Sequence, residues 1–227
     1  MLTKRLETIK NLVTNSKITV DVGTDHGYVP ISLIMEERAL KVIACDINKG
    51  PLDNAKKNIQ KSGLLEKIEL RLGGGLVPVK NDEADTVIIA GMGGILIKDI
   101  LCESYEKAQN IKKLILQPMN SQDVLREYLF DNNFSIKNEH LAIEGEKIYN
   151  IIEVVPGKET KDYSEDAFLN FGNPKNFEKN EQFKIYIDKN IKRIERVLHN
   201  LKKAKNADEN DIEKLKNILS ELEEYYA

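Results

Sequence analysis

The sequence predicts an α/β protein with a doubly wound, Rossmann-like sheet, and three observations support this prediction. Short apolar runs, most of them rich in β-branched residues, alternate with helical patterns over residues 1–132. The first of these runs ends on an acid and is followed by a glycine turn. After residue 132 two longer runs succeed each other with no helix between them, which indicates an antiparallel hairpin closing the sheet.

The individual elements follow from the same patterns. An amphipathic helix is predicted over residues 2–13. Five strands are predicted at 18–22, 41–46, 67–72, 84–90 and 112–117, and helices at 28–37, 50–62, 93–103 and 121–132. Strands separated by helices pair in parallel through right-handed crossovers. The hairpin strands are 135–143 and 147–155, joined by Glu144-Gly145-Glu146.

A second unit is predicted after Pro156 and Gly157, so that the domains span 1–156 and 157–227. Its apolar residues recur at spacings of three and four, which is a heptad pattern. The two seams are Ile187, Ile191, Ile194, Leu198 and Leu201, and then Ile212, Leu215, Leu219, Leu222 and Tyr226. We interpret them as an antiparallel coiled-coil hairpin of two helices.

Charge is divided between these two helices. Residues 184–205 contain eight Lys or Arg and two acids, whereas 208–224 contain seven acids and two lysines. The acidic helix could neutralise the basic one, either in a solvated hairpin or in a dimerisation device. Alternatively, the basic residues face outward and contact phosphates. The candidates for such contacts are Lys189, Lys192, Arg193, Arg196, Lys202 and Lys203.

The composition indicates a soluble cytoplasmic protein. The 227 residues carry a net charge of -3, so no overall basic character points to nucleic acid. The two cysteines form neither a metal-ligand pair nor a disulfide framework. No apolar run approaches the roughly 20 residues that span a bilayer, and no signal peptide is evident. We expect a monomer that uses no metal and binds no membrane.

The first strand and its turn predict a binding site for a cationic nucleoside. Gly23 and Gly27 do not match the Gly-x-Gly-x-x-Gly pattern of dinucleotide loops, and Asp25 would repel a pyrophosphate at that helix end. Asp21 suits an ammonium group, and Asp46, at the end of the next strand, suits a ribose diol. S-adenosylmethionine has both groups and no phosphate. The alternative is a plain turn in which Asp25 only caps the next helix.

Three further strand ends are informative. Gly73-Gly74-Gly75 follows the third strand, the segment Ile-Ala-Gly-Met-Gly-Gly at 89–94 ends the fourth, and Gln-Pro-Met-Asn at 117–120 ends the fifth. Each triplet alone is weak evidence, because glycines after strands are often only turns. Together, five strand ends with such residues favour a ligand site at one edge of the sheet.

With these segments in view, the sequence resembles the bacterial tRNA (adenine-N1)-methyltransferases that modify adenine 22, which are class I S-adenosylmethionine-dependent methyltransferases. The residues that carry the resemblance are Arg5-Leu6, the segment 21–30, Gly50-Pro51, the segment 89–94, Leu116-Gln117-Pro118 and the coiled-coil tail. The resemblance covers essentially the whole chain. It implies five parallel strands with an antiparallel hairpin, followed by a helical hairpin that helps to hold tRNA.

The resemblance also implies roles for particular residues. Asp25, His26 and Tyr28 would line the mouth of the site and be the catalytic candidates, and Gln117 would join the substrate contacts. The cofactor residues would be Arg5, Asp21, Gly23, His26, Asp46, Ile47, Gly74, Gly75, Leu76, Gly91 and Met92.

Two positions depart from the family pattern. The family has Gly-Asp-Gly where this chain reads Gly73-Gly74-Gly75, so the carboxylate implied near the cofactor's adenine amino group is missing, and Asn48 is a possible substitute. The family often has Gln-Pro-Asn where this chain has Met119, with Asn120 one position later.

The predicted reaction is methyl transfer to N1 of an adenine in tRNA, with Asp25 stabilising the positive charge on the product base. A methyltransferase of another RNA position or of a protein is also compatible with the sequence, although no Asn/Asp-Pro-Pro-Tyr segment of the exocyclic-amine methylators follows the fourth strand. So are two functions of different classes, a nicotinamide-dependent oxidoreductase and a non-catalytic scaffold. The absence of Gly-x-Gly-x-x-Gly after the first strand disfavours the oxidoreductase.

Overall fold

The computed structural model describes residues 2–158, 166–203 and 208–226. The chain divides into two compact units, residues 1–160 and 161–227. In unit 1 the helices are α1 (Lys4–Leu12), α2 (Tyr28–Met35), α3 (Lys49–Lys61), α4 (Gly94–Glu103), α5 (Tyr105–Asn110) and α6 (Gln122–Asp131). The strands are β1 (Ser16–Val22), β2 (Ala39–Asp46), β3 (Ile68–Leu72), β4 (Thr86–Met92), β5 (Lys113–Pro118), β6 (Phe134–Glu144) and β7 (Lys147–Pro156).

The seven strands form one sheet in the order β3-β2-β1-β4-β5-β7-β6. Strands β1 to β5 are parallel, and β7 pairs antiparallel with both β5 and β6. The predicted α/β fold, with five parallel strands and a closing hairpin, is confirmed. The strand order reverses between β1 and β4, and a crevice opens at such a switch point beyond the carboxyl ends of the strands.

The central strands are apolar because helices cover both faces of the sheet. Val87, Ile88 and Ile89 of β4 are all buried, as are Val42 and Ile43 of β2. Each of these strands keeps its apolar run up to the edge where the predicted site residues begin. The core therefore fixes the positions of the strand ends.

Helix α5 differs from the sequence prediction, in which the helical pattern ends at 103. The structure continues through Ser104 into a short second helix over Tyr105–Asn110. Only Ala108 of its six residues is buried, so the sequence lacks the apolar repeat that identifies a packed helix.

Unit 2 contains α7 (Asp166–Phe171), a 3₁₀ turn (Pro174–Asn176), α8 (Glu181–Leu201) and α9 (Glu209–Tyr226). Helices α8 and α9 pack against each other, and seven residues separate them in the sequence, a length typical of antiparallel neighbours. Ile187, Ile194 and Leu198 of the first predicted seam are buried, and so is Leu222 of the second. Residues 204–207, which include part of the interruption between the two predicted seams, and the side chain of Tyr226, the last seam position, lie outside the described residues.

Candidate active site

A cavity of about 280 Å³ opens at the carboxyl edge of the sheet, where β1 and β4 end. It brings together predicted site residues from α1, from β1 and its turn, and from the end of β4. The lining residues are Arg5, Leu6, Ile9, Asp21, Gly23, Thr24, Asp25, His26, Tyr28, Val29, Ile88, Ala90 and Gly91. Leu6, Ile9 and Val29 were not predicted as site residues, because their apolar spacing is equally typical of helix cores.

The turn after β1 has an unusual backbone conformation. Gly23, Asp25 and Gly27 all have positive φ, at 77°, 49° and 71°. The amides of Gly23 and Thr24 both donate to the carbonyl of Cys45, at 2.8 and 3.0 Å, which ties the turn to β2. A Cβ at Gly23 would lie 2.5 Å from the Met92 methyl carbon, so a side chain there would displace Met92 and would also be strained by the positive φ. The backbone therefore borders the cavity directly.

Asp25 does not cap the following helix. The N-cap of α2 is Gly27, and no side chain caps that helix. The Asp25 carboxylate instead lies 3.5 Å from His26 Nε2. The rings of His26 and Tyr28 stack with centroids 5.3 Å apart and planes 23° apart. An exposed carboxylate and two stacked rings thus stand together at the mouth of the cavity.

Asp21 and Asp46 are buried at neighbouring strand ends, and neither forms an ion pair within the described part of the chain. Burial raises the pKa of Asp21 to about 6, the negative charge of Asp46 adds to the rise, and the Thr24 hydroxyl opposes it. One oxygen of Asp46 accepts a 2.8 Å hydrogen bond from the amide of Asn48. The two carboxyl groups thus lie at the ends of the paired strands β1 and β2.

A second cluster lies where β2 and β3 end. The amide of Gly73 donates to the carbonyl of Asp46 at 2.9 Å, which places the glycine turn beside β2. A Cβ at Gly74 would lie 3.4 Å from Cδ1 of Ile47, whose side chain is mostly exposed. Gly75 is packed against Ile100, and the Leu76 side chain is buried in the core. The structure thus joins Asp46, Ile47 and Gly74 but turns the Leu76 side chain inward.

Gln117, predicted to contact substrate, is fully buried at the end of β5. Its Oε1 accepts hydrogen bonds from Arg5 Nη1 at 2.6 Å and from the amide of Gly91 at 3.2 Å. Arg5 and Gln117 are 112 residues apart in the sequence, and no local pattern could have paired them.

The predicted phosphate contacts lie in unit 2. All six basic candidates on and just after α8 are exposed. Five of them form no ion pair with any residue that the structure describes: Lys192, Arg193, Arg196, Lys202 and Lys203.

The residues that the structure describes contain neither a membrane-spanning helix nor a metal site. No helix there is both long and apolar enough to cross a membrane. No group of three or more His, Cys, Asp or Glu side chains there could hold a metal ion.

Comparison with known proteins agrees with this geometry. Residues 2–152 match the family model described as a methyltransferase domain. The chain is 32% identical to the tRNA (adenine(22)-N(1))-methyltransferase of Bacillus subtilis strain 168 over 225 residues, covering 98% of this chain and 94% of the relative.

Solved structures give the same result. The crystal structure of the B. subtilis M1A22 tRNA methyltransferase TrmK has a TM-score of 0.83 and 31% identity, covering 100% of this chain and 99% of that one. The M. capricolum TrmK structure, in complex with the cofactor product S-adenosyl-homocysteine, has a TM-score of 0.82 and 32% identity, covering 99% and 97%. The resemblance seen in the sequence is confirmed, and the chain belongs to the tRNA (adenine(22)-N(1))-methyltransferase family.

Proposed function

We propose that this protein transfers a methyl group from S-adenosylmethionine to N1 of adenine 22 in tRNA. The observation that carries the proposal is the arrangement of three acids, two in the cavity lining and one at the adjacent strand end. Asp21 is buried in the cavity lining and Asp46 is buried at the end of β2, both without cationic partners among the described residues. Asp25 stands at the cavity mouth beside stacked His26 and Tyr28. A cationic nucleoside and an acceptor base together complement this arrangement.

The residues present fit the cofactor. Asp21, with its raised pKa, is a buried carboxylate that a ligand ammonium would stabilise, and Asp46 would accept hydrogen bonds from the ribose diol. Ile47, whose mostly exposed side chain lies against the backbone of Gly74, would contact the adenine ring. Gly23, which has no side chain, presents its backbone to the cavity at the end of β1. When bound, S-adenosylmethionine supplies a methyl group already activated by its sulfonium.

The protein's own part in the reaction is orientation and charge stabilisation. His26 and Tyr28 would hold the adenine by stacking, with N1 directed into the cavity. Alignment of reacting groups can contribute about 7–11 kcal/mol to the lowering of a barrier. As the N1 lone pair bonds to the methyl carbon, the bond from that carbon to sulfur would break with its electron pair remaining on sulfur. The base becomes cationic, and the Asp25 carboxylate would stabilise that charge. N1 is on the Watson–Crick edge, so the adenine must be unpaired before it enters.

Unit 2 would supply the phosphate contacts. At 100° per residue, Lys192 and Arg196 fall on one side of the α8 axis, opposite the buried Ile187 and Ile194. We assign 1–156 as the cofactor-binding domain and 157–227 as a tRNA-binding arm on this basis. RNA shape and phosphates, rather than sequence, would be recognised there.

The proposal is tested by incubating the protein with unmodified tRNA transcripts and methyl-labelled S-adenosylmethionine and then mapping the modified base. We expect 1-methyladenine at position 22 and no label in a transcript with guanine at that position. Label at another base, or only in protein, would contradict the proposal. Calorimetry with S-adenosylmethionine and with NAD distinguishes a methyltransferase from a scaffold, which would bind neither, and from an oxidoreductase, which would bind NAD.

The arm is tested by replacing Lys192, Arg193 and Arg196 with alanine. We expect weaker tRNA binding and unchanged cofactor affinity. The slope of log K for tRNA against the logarithm of the salt concentration should become shallower by about 0.7–0.9 for each lost phosphate contact. The control replaces three exposed lysines at the amino edge of the sheet, Lys17, Lys41 and Lys67, so that the net charge change is the same. Equal loss of tRNA binding in both variants would contradict a specific role for α8.

A further inference from the structure

Gly91 is the only irregular residue in the β4–β5 pairing. Ala90 pairs with Gln117 and Met92 with Pro118, so the register shifts around Gly91, which has φ 78°. Such a bulge takes one residue out of the ladder and leaves its backbone groups to find other partners. Gly91 also lines the cavity. Part of the cavity wall is therefore the backbone of a bulged residue that has no partner in the β4–β5 register.

The side chain of Gln117 forms hydrogen bonds with this backbone. Its Oε1 accepts the Gly91 amide at 3.2 Å, and its Nε2 donates to the carbonyl of Pro118 at 3.0 Å. The same Oε1 accepts Arg5 Nη1 at 2.6 Å. Donor and acceptor ends of one buried amide are thus both engaged, which fixes the orientation of the side chain.

Arg5 is in turn fixed by its own contacts. Its amide donates to Glu144 Oε1 at 2.6 Å, and its guanidinium lies 5.4 Å from the ring centroid of Tyr149. A Cβ on Gly91 would lie 3.5 Å from Arg5 Nη1, so the guanidinium rests against the bulge. Helix α1, the hairpin and the ends of β4 and β5 meet at these contacts.

We propose that Arg5 and Gln117 are positioning residues that fix the Gly91 wall of the cavity, so that the acceptor base is aligned for methyl transfer. The proposal rests on the function proposed above and goes further. It gives Arg5 and Gln117, for which the sequence predicted contacts with cofactor and substrate, a role through the backbone of Gly91 instead. Misplacement of a reacting group by about 1 Å can cost about 100-fold in rate. Loss of either residue should therefore reduce kcat and leave cofactor binding nearly intact.

Three variants test the coupling: Arg5→Ala, Gln117→Met and the double variant. Methionine keeps the volume of glutamine and removes the acceptor. We expect each single variant to lower kcat for tRNA by about 10- to 100-fold. The double variant should be no slower than the slower single variant, because both act through the same wall. Arg5→Lys, which retains a donor for Oε1, should recover part of the rate.

Gln109→Met is the matched control, because the Gln109 amide also donates to backbone carbonyls, at Asn132 (3.1 Å) and Asn133 (3.2 Å), but does not line the cavity. It should alter thermal stability without lowering kcat. The proposal would be overturned by additive losses in the double variant, by an unchanged kcat, or by a kcat loss matched by weaker cofactor binding.

If Gln117→Met does not fold, Arg5→Ala and Arg5→Lys decide the matter alone, since equal activity in these two variants would contradict the proposal. Failure of the proposed function is seen separately, as a wild-type protein that methylates no tRNA transcript.

Discussion

Asp21, at the carboxyl edge of the sheet, differs from two acids elsewhere in unit 1. Glu153 on β7 faces Lys113 Nζ at 2.9 Å and His140 Nε2 at 3.3 Å, and these two partners hold its pKa down to about 2. Glu83 receives two 2.6 Å hydrogen bonds from Arg71, which lower its pKa to about 2 as well. Asp21 is more buried than either, and its pKa is raised to about 6.

The difference separates structural acids from functional ones. A carboxylate that serves stability is paired within the fold, because burying it unpaired costs free energy. Asp21 bears that cost, and a ligand cation would remove it. Perturbed ionisable groups in a cleft are typical of binding and catalytic sites.

The strongest test of this contrast concerns the acid at the cavity mouth. Asp25→Asn should lower turnover by about 100-fold or more, since it removes the charge that would stabilise the cationic product, and should leave cofactor affinity nearly unchanged. Asparagine tolerates the positive φ at this position, so the turn should persist. Single-turnover kinetics and calorimetry measure the two quantities.

Asp82→Asn is the control for that experiment. Asp82 is also an exposed aspartate with positive φ, at 56°, but it does not line the cavity. Its replacement should leave turnover unchanged. Full activity in Asp25→Asn would remove Asp25 from the mechanism.

A smaller effect is expected when one acid of each kind, Asp21 or Glu153, is exchanged for an amide. Asp21→Asn should weaken S-adenosylmethionine binding by about 10- to 100-fold, which corresponds to one hydrogen bond to a charged group. Thermal stability of the free protein should not fall, because the variant removes an unpaired buried charge. Glu153→Gln should do the reverse, with lower stability and unchanged cofactor affinity. The same outcome for both variants would contradict the distinction between paired structural acids and unpaired functional ones.

Local sequence predicted one side of this contrast and not the other. Asp21, Asp46 and the glycine turn could be recognised because each follows an apolar run within a few residues. The burial of Gln117 could not, since its partners Arg5 and Gly91 reach it only when α1 and β4 pack around β5. The pairing of Glu153 with Lys113 likewise depends on the antiparallel contact between β5 and β7.

The pH dependence of cofactor binding is expected to be the smallest of these effects. It reports most directly on the ionisation of the Asp21 carboxyl group. The unfolded carboxyl ionises near 3.8 and the folded one near 6, so the folded state binds more protons between these values. Asp21 therefore lowers the stability of the free protein as pH rises from about 4 to 6. Its ionised form is the one that a ligand ammonium needs. The affinity for S-adenosylmethionine should thus rise through pH 6 and be about tenfold weaker at pH 5 than at pH 7.

Glu153 has the opposite sign, because its lowered pKa contributes stability above about 4.5 that is lost as pH falls toward 2. Calorimetric titration between pH 5 and 8, with Asp21→Asn as the reference, isolates the carboxylate at position 21. The variant should bind weakly with little dependence on pH. A wild-type affinity that is flat across this range would mean that the ammonium is held by another group, and the distinction between paired and unpaired acids would then lose its functional meaning.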